Sequence, residues 1–265
     1  MDRRAFLAGL GGTTVGGLAG CALRAPGSAT TREGSGPGAG TGTDLPLGAT
    51  GFPDTICSEE AQADPGIYAI TEPTVAADWR DRAVDPRYRP DGEAGLGPDR
   101  TVVGVVRDGT ARAYPISVLW VHEVVNDWLA GVPLLVTYCS LCRSGMVARR
   151  TVAGTPTRFR VTGLLWRAPR VRKAASEAEG RVFGAVRAGG EALAVRNSGN
   201  VVLQDEATGS YWSQILARSI CGPREGTLLS QVPATVATWE AWRREHPETT
   251  VLLPPPHSGT TAGKR

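Results

Sequence analysis

The stretch "ISVLWVHEVVNDWLAGVPLLVTYCSLCRSG", residues 116–145, carries two patterns in succession. In its first half Ile116, Leu119, Trp120, Val124 and Asp127 or Trp128 recur at three- and four-residue spacings, which predicts an amphipathic helix with Gly131 as its stop and Pro133 beyond. The second half, "PLLVTYC", is a short apolar run that predicts a buried strand, with CSLC as its terminal turn. Two thiols, Cys139 and Cys142, therefore sit three positions apart where a core strand ends.

Working outward, "TVVGVVRDGTARAYP", residues 101–115, places an Asp108-Gly109 turn signal between two extended runs, a hairpin on which the helix would pack. Downstream, "GMVARRTVAGTPTRFRVTG" reads as two strands joined at "AGT". Residues 167–199 break the rhythm with Ala, Arg, Gly and Glu and few large apolar side chains, as an insertion would. Order resumes at "NVVLQDEATGSYWSQ", residues 200–214, a second hairpin around Asp205 to Ser210. A short helix capped by Thr238, "TWEAWRREHP", then leads to the strand "TVLL", and residues 254–265 are expected to fray. The expected class is α+β: one strand-rich domain over residues 51–253, with largely antiparallel sheets and a few short helices.

The N-terminus, "MDRRAFLAGLGGTTVGGLAGC", has the form of an export signal. Arg3 and Arg4 before Phe6 and Leu7 resemble a twin-arginine signal, and "LAGC" resembles a lipobox in which Cys21 becomes the lipidated first residue. The apolar stretch is shorter than the roughly 20 residues a membrane span needs. Residues 21–50 are rich in Gly, Ser, Thr, Ala and Pro and read as a flexible tether. The expectation is a membrane partner through the lipid, on the extracytoplasmic face. A net charge of +3 with 21% charged residues is too balanced to make nucleic acid the main partner. The basic cluster Arg158, Arg160, Arg167, Arg170, Arg172 and Lys173 has no amphipathic accompaniment and reads as solvated surface. No phosphate-cradling glycine loop, nucleophile elbow or HExxH motif occurs.

Five separated motifs, "ARAYPISVLWVHEVVND", "GVPLLVTYCSLCRSG", "VTGLL", "DEATGSYWSQ" and "TWEAWRREHPET", resemble in their order the family catalogued as domain of unknown function 3179, over about Asp78 to Leu253. The resemblance implies no reaction. It does mark residues to interrogate: His122, Glu123 and Asn126 on the expected helix; Tyr138, Cys139 and Cys142 at the turn; Asp205, Thr208, Gly209, Ser210, Trp212 and Gln214 on the hairpin. Ser140 stands where members of that family carry Pro between the thiols. Setting Cys21 aside, four cysteines remain and allow three complete pairings. Cys57 and Cys221 lie outside the motifs, so a disulfide between them is expected in an oxidising compartment, leaving Cys139 and Cys142 for chemistry.

Three readings of CSLC stand. The first is a thiophilic metal site for Zn or Cu(I), with His122 as the further ligand because the other two, His246 and His257, stand on the closing helix and in the tail, and with Glu123 or Asn126 orienting it. Export of folded proteins by the twin-arginine route fits a cofactor loaded beforehand. The alternative is thiol–disulfide exchange, although the segment after the motif reads as a strand and supplies no helix N-terminus to activate a thiol. The third is a structural or interaction domain whose thiols are small buried groups. Trp212 and Gln214 share a strand face and could line a pocket, whereas Asp205 and Glu206, being adjacent, point to opposite faces.

Overall fold

The computed structural model describes residues 54–89, 92, 94–140, 142–166 and 200–262. The expected signal and tether, and the expected insertion at 167–199, lie outside the described residues. Sixteen strands and two short helices follow in chain order among those described. They are β1 (Ile70–Glu72), β2 (Thr74–Ala76), β3 (Thr101–Arg107), β4 (Thr110–Pro115), α1 (Ile116–His122), β5 (Val124–Leu129), β6 (Val132–Cys139) and β7 (Ser144–Arg149). Then come β8 (Thr151–Val152), β9 (Thr155–Pro156), β10 (Phe159–Trp166), β11 (Asn200–Asp205), β12 (Tyr211–Ser213) and β13 (Arg218–Cys221). The last are β14 (Thr235–Thr238), α2 (Trp239–Glu245), β15 (Thr250–Leu253) and β16 (Gly259–Thr260).

The strands form three main sheets, ordered β16-β1-β5-β6-β7, β14-β3-β4-β15-β2 and β10-β11-β12-β13, plus the two-stranded β8-β9. Every pairing is antiparallel except β1 with β5 and β4 with β15. The domain is α+β and strand-rich.

The expected long helix is half the length predicted. It stops at His122, Glu123 adopts a left-handed φ of 56° while its N–H donates to Leu119 O, and residues 124–129 form β5. The helical spacing in "VVNDWL" is a false signal with a physical cause. The strand lies inside a sheet covered on both faces, so it has no polar face and no period-two alternation to betray it. Asn126 and Trp128 consequently stand on a strand. Gly131 closes no helix. With Ala130 it forms the β5–β6 hairpin turn, at φ 48° and 74°, the same pair of positive angles that Asp108 and Gly109 adopt between β3 and β4.

β5 and β6 divide the interior. Val125, Leu129, Leu134 and Val136 face a core containing Trp79, Tyr114, Trp239 and Trp242, while Val124, Leu135 and Cys139 face a second core built on Phe159, Leu203 and Trp212. Alternate residues of one hairpin thus serve two cores. Between the cores, neighbouring polar residues of β5 stitch the sheets together. Asn126 accepts from Phe159 N at 2.7 Å and donates to Phe159 O at 2.9 Å. Asp127 accepts from Arg112 at 2.6 Å and Tyr114 at 2.8 Å on the opposite side.

α2 begins at Thr238, whose hydroxyl accepts from Ala241 N as a side-chain cap, and lays Trp242 over β3 where Gly104 leaves room for the indole. A Cβ at Gly104 would lie 2.3 Å from that ring. The C-terminal segment also differs from expectation. Rather than fraying, residues 254–262 fold back: Ser258 is fully buried and accepts from Thr74 N, and β16 pairs with β1.

Candidate functional site

β6 and β7 are paired in register from Leu134 with Arg149 to Cys139 with Ser144, so the thiols sit at the closed end of a hairpin. Cys139 is fully buried in the second core, and Cys142, half-buried, packs at the edge of that core. The two sulfurs are joined, with Cα atoms 5.1 Å apart. Across the turn, Cys142 N–H donates to Cys139 Sγ at 2.9 Å and Arg143 N–H to Cys139 O at 2.8 Å. Both amides are therefore directed at Cys139. A second disulfide joins Cys57 to Cys221, with Cα atoms 5.4 Å apart and 164 positions between them in sequence.

His122 is not turned toward the thiols. Its Nδ1 lies 2.8 Å from Tyr68 O, which can only accept, so Nδ1 carries the proton. Nε2, 2.8 Å from the Tyr88 hydroxyl, is then the acceptor. Burial lowers the His122 pKa, in keeping with this neutral form. Both ring nitrogens are occupied, and among the described residues no group of three or more His, Cys, Asp or Glu side chains gathers as a metal site. The side chains described around Cys139 and Cys142 thus do not assemble the ligand set that Zn requires.

Glu123 and Ser140 form a contact the sequence did not disclose. Glu123 is 5% exposed at the junction of α1 and β5. Its carboxylate accepts from both the hydroxyl and the amide of Ser140, the residue after Cys139. Burial nevertheless dominates and pushes the carboxyl up to about 7. Tyr138 lies alongside, its N–H donating to Glu123 O at 2.9 Å.

The other anchor comes from the β12–β13 side. Gln214, 1% exposed, donates from Nε2 to Thr137 Oγ1 at 3.1 Å and to Ser144 O at 3.4 Å, and Oε1 accepts from Ser144 Oγ at 3.2 Å. Thr137 and Ser144 were not singled out from the sequence. The signal was present: Thr137 is two positions before Cys139 and shares its face, and Ser144 is the cross-strand partner of Cys139 once CSLCRS is read as a hairpin end.

The remaining motif residues brace the fold. Asp205, fully buried, accepts from Thr208 N, Thr208 Oγ1 and Trp212 Nε1 at 2.7 to 3.0 Å. Ser210 Oγ meets Thr208 Oγ1 and accepts from Arg224 N at 3.1 Å. Trp212 buries its ring edge-on to Phe159, with centroids 5.7 Å apart. This cluster locks the β11–β12 turn, and through it the base from which Gln214 reaches.

A family model described as a protein of unknown function, DUF3179, matches residues 69–171 and 186–264. The chain belongs to this DUF3179 family. Its match spans the paired thiols, both anchors of their turn and β16, and is interrupted between residues 171 and 186. No curated protein and no solved structure matches the chain.

The raised carboxyl of Glu123 ties stability to pH. An unfolded Glu titrates near 4.5 and the folded one near 7, so the native state holds this proton more tightly. The resulting stability is fully present below about 4.5 and is lost as pH rises through about 7, on the order of 3 kcal/mol in total. Urea unfolding at pH 5 and pH 8 should show this loss in the wild-type chain and a flatter dependence in Glu123→Gln. An equal dependence in both would show that Glu123 is not the group responsible.

Proposed function

We propose that the protein is an extracytoplasmic, lipid-anchored thiol–disulfide exchange protein whose redox couple is Cys139 and Cys142. The observation that carries this reading is a CxxC disulfide at a hairpin end with one sulfur buried and the other half-buried, the Cys142 amide being aimed at the buried sulfur. Magnitudes support a chemical rather than a structural purpose. In the chain-entropy account, closing the long loop between Cys57 and Cys221 contributes about 5 kcal/mol, whereas closing the four-residue CSLC loop contributes about 2 kcal/mol. The bond that contributes less to stability is the one set among polar anchors.

The accessible sulfur is the one attacked. A donor thiolate attacks Cys142 Sγ, a mixed disulfide forms, and the Cys139–Cys142 bond breaks with its electron pair departing on Cys139 Sγ. The Cys142 N–H, 2.9 Å away, favours that thiolate. A second donor thiolate then displaces Cys142. The donor leaves as a disulfide, and the two electrons and two protons remain on the protein as two thiols. With a disulfide substrate the same steps run backwards, Cys142 attacking and Cys139 resolving. No helix N-terminus is needed, because the Cys142 amide takes that part.

Graded mixtures of glutathione and glutathione disulfide, with acid quenching, alkylation and peptide mapping of the full chain, test this directly. Cys139 and Cys142 are expected to pass together from disulfide to dithiol. A pair that remains oxidised in the most reducing mixture, or reduced throughout, overturns the reading.

The proposed anchor rests on "LAGC" at residues 18–21 and the tether after it. No helix among the described residues is long and apolar enough to cross a membrane. The chain is expected to fractionate with membranes and to be released by Cys21→Ser. Recovery of the wild-type chain wholly in the soluble fraction would remove the anchor.

A further inference from the structure

Gln214 is a buried amide whose hydrogen-bonding capacity is directed at the two strands that present the thiols. Its own backbone is fixed to the other sheet: Gln214 N–H donates to Val201 O at 3.1 Å, and its carbonyl accepts from Ala217 N at 3.1 Å. From that base Nε2 holds Thr137 on β6 and the Ser144 carbonyl on β7, while Oε1 holds the Ser144 hydroxyl. Ser144 is the residue paired with Cys139, the last pair of the hairpin before the CSLC turn. One side chain therefore clamps both strands at the point where the disulfide opens and closes.

We propose that Gln214 is a positioning residue for the Cys139–Cys142 couple, holding the ends of β6 and β7 so that the reduced thiols stay within reach of each other. The inference rests on the exchange reading above. The chemistry is one of effective concentration. Once the disulfide is reduced, the turn 140–143 loses its covalent closure, and the chance that Cys142 meets Cys139 depends on how firmly the strand ends are held. A firm clamp raises that effective concentration and favours the disulfide. Without it, the same thiols prefer the dithiol state. A purely structural residue would stabilise oxidised and reduced protein alike and leave the balance between them unmoved.

The test compares the full wild-type chain with Gln214→Ala and Gln214→Met in glutathione buffers, and measures the urea stability of each chain in oxidised and reduced form. Gln214→Ala is expected to shift the Cys139–Cys142 equilibrium toward the dithiol by about three- to tenfold, the loss of one or two net hydrogen bonds. It should destabilise the oxidised form more than the reduced form by the same factor. Gln214→Met keeps the length without the bonds and should shift equally. If the Gln214→Ala chain does not fold, Thr137→Val removes one end of the clamp alone and should shift the balance in the same direction. An unchanged equilibrium with equal loss of stability in both forms, or a Gln214→Met chain that behaves as wild type, overturns the proposal while leaving exchange at the thiols intact. A wild-type pair that does not titrate at all overturns the exchange reading instead.

Discussion

The structure depends on one hairpin being buried on both of its faces. β5 and β6 lie inside a five-stranded sheet with a tryptophan-rich core on one side and the Phe159–Trp212 core on the other. A strand so placed cannot leave backbone groups or polar side chains unpaired, since each buried, unsatisfied group costs about 1–3 kcal/mol. Asn126 and Asp127 meet that condition in opposite directions. Asn126 reaches across to the β10 backbone, and Asp127 accepts from Arg112 and Tyr114 of β4. Two adjacent side chains thereby fix the middle sheet against both neighbours.

The thiol pair inherits its setting from that hairpin. Period-two alternation puts Leu135, Thr137 and Cys139 on the face that meets the second core, so Cys139 is buried by the register of β6. Five positions later the chain returns as β7, and Cys142 falls, half-buried, on the intervening turn. The unequal exposure of the two sulfurs is thus a consequence of register. Glu123 and Gln214 approach the same turn from the α1–β5 junction and from the β12–β13 connection, so three parts of the fold converge on a disulfide that closes a loop of four residues.

Much of this was legible in the sequence where local chemistry decides the outcome. Asp108-Gly109 announces its hairpin because both residues must take positive φ, Thr238 announces a helix start, and the apolar run before Cys139 announces a buried strand. The family was legible through its separated motifs. What was not legible depends on tertiary burial. A strand covered on both faces mimics a helix in its spacing, which is why the pattern of residues 124–129 predicts a helix where β5 stands. His122 looked like a ligand because Tyr68 and Tyr88, its partners, are 54 and 34 positions away in sequence. The Glu123–Ser140 contact joins residues that no pattern relates. Ser258, buried and bonded to Thr74 of β2, and the pairing of β16 with β1 make part of a sheet from an expected loose tail.

The proposed role of Cys139 and Cys142 is that of an electron-transfer couple, where a metal site would need both sulfurs held as thiolates together with further ligands. Native mass measurement of the anaerobically reduced full chain after exposure to zinc and desalting separates the two most directly. An electron-transfer couple gives a metal-free chain that loses two hydrogens, and so regains its Cys139–Cys142 bond, when glutathione disulfide is added. One zinc retained per chain, lost in Cys139→Ser and protecting both thiols from oxidation, would contradict it.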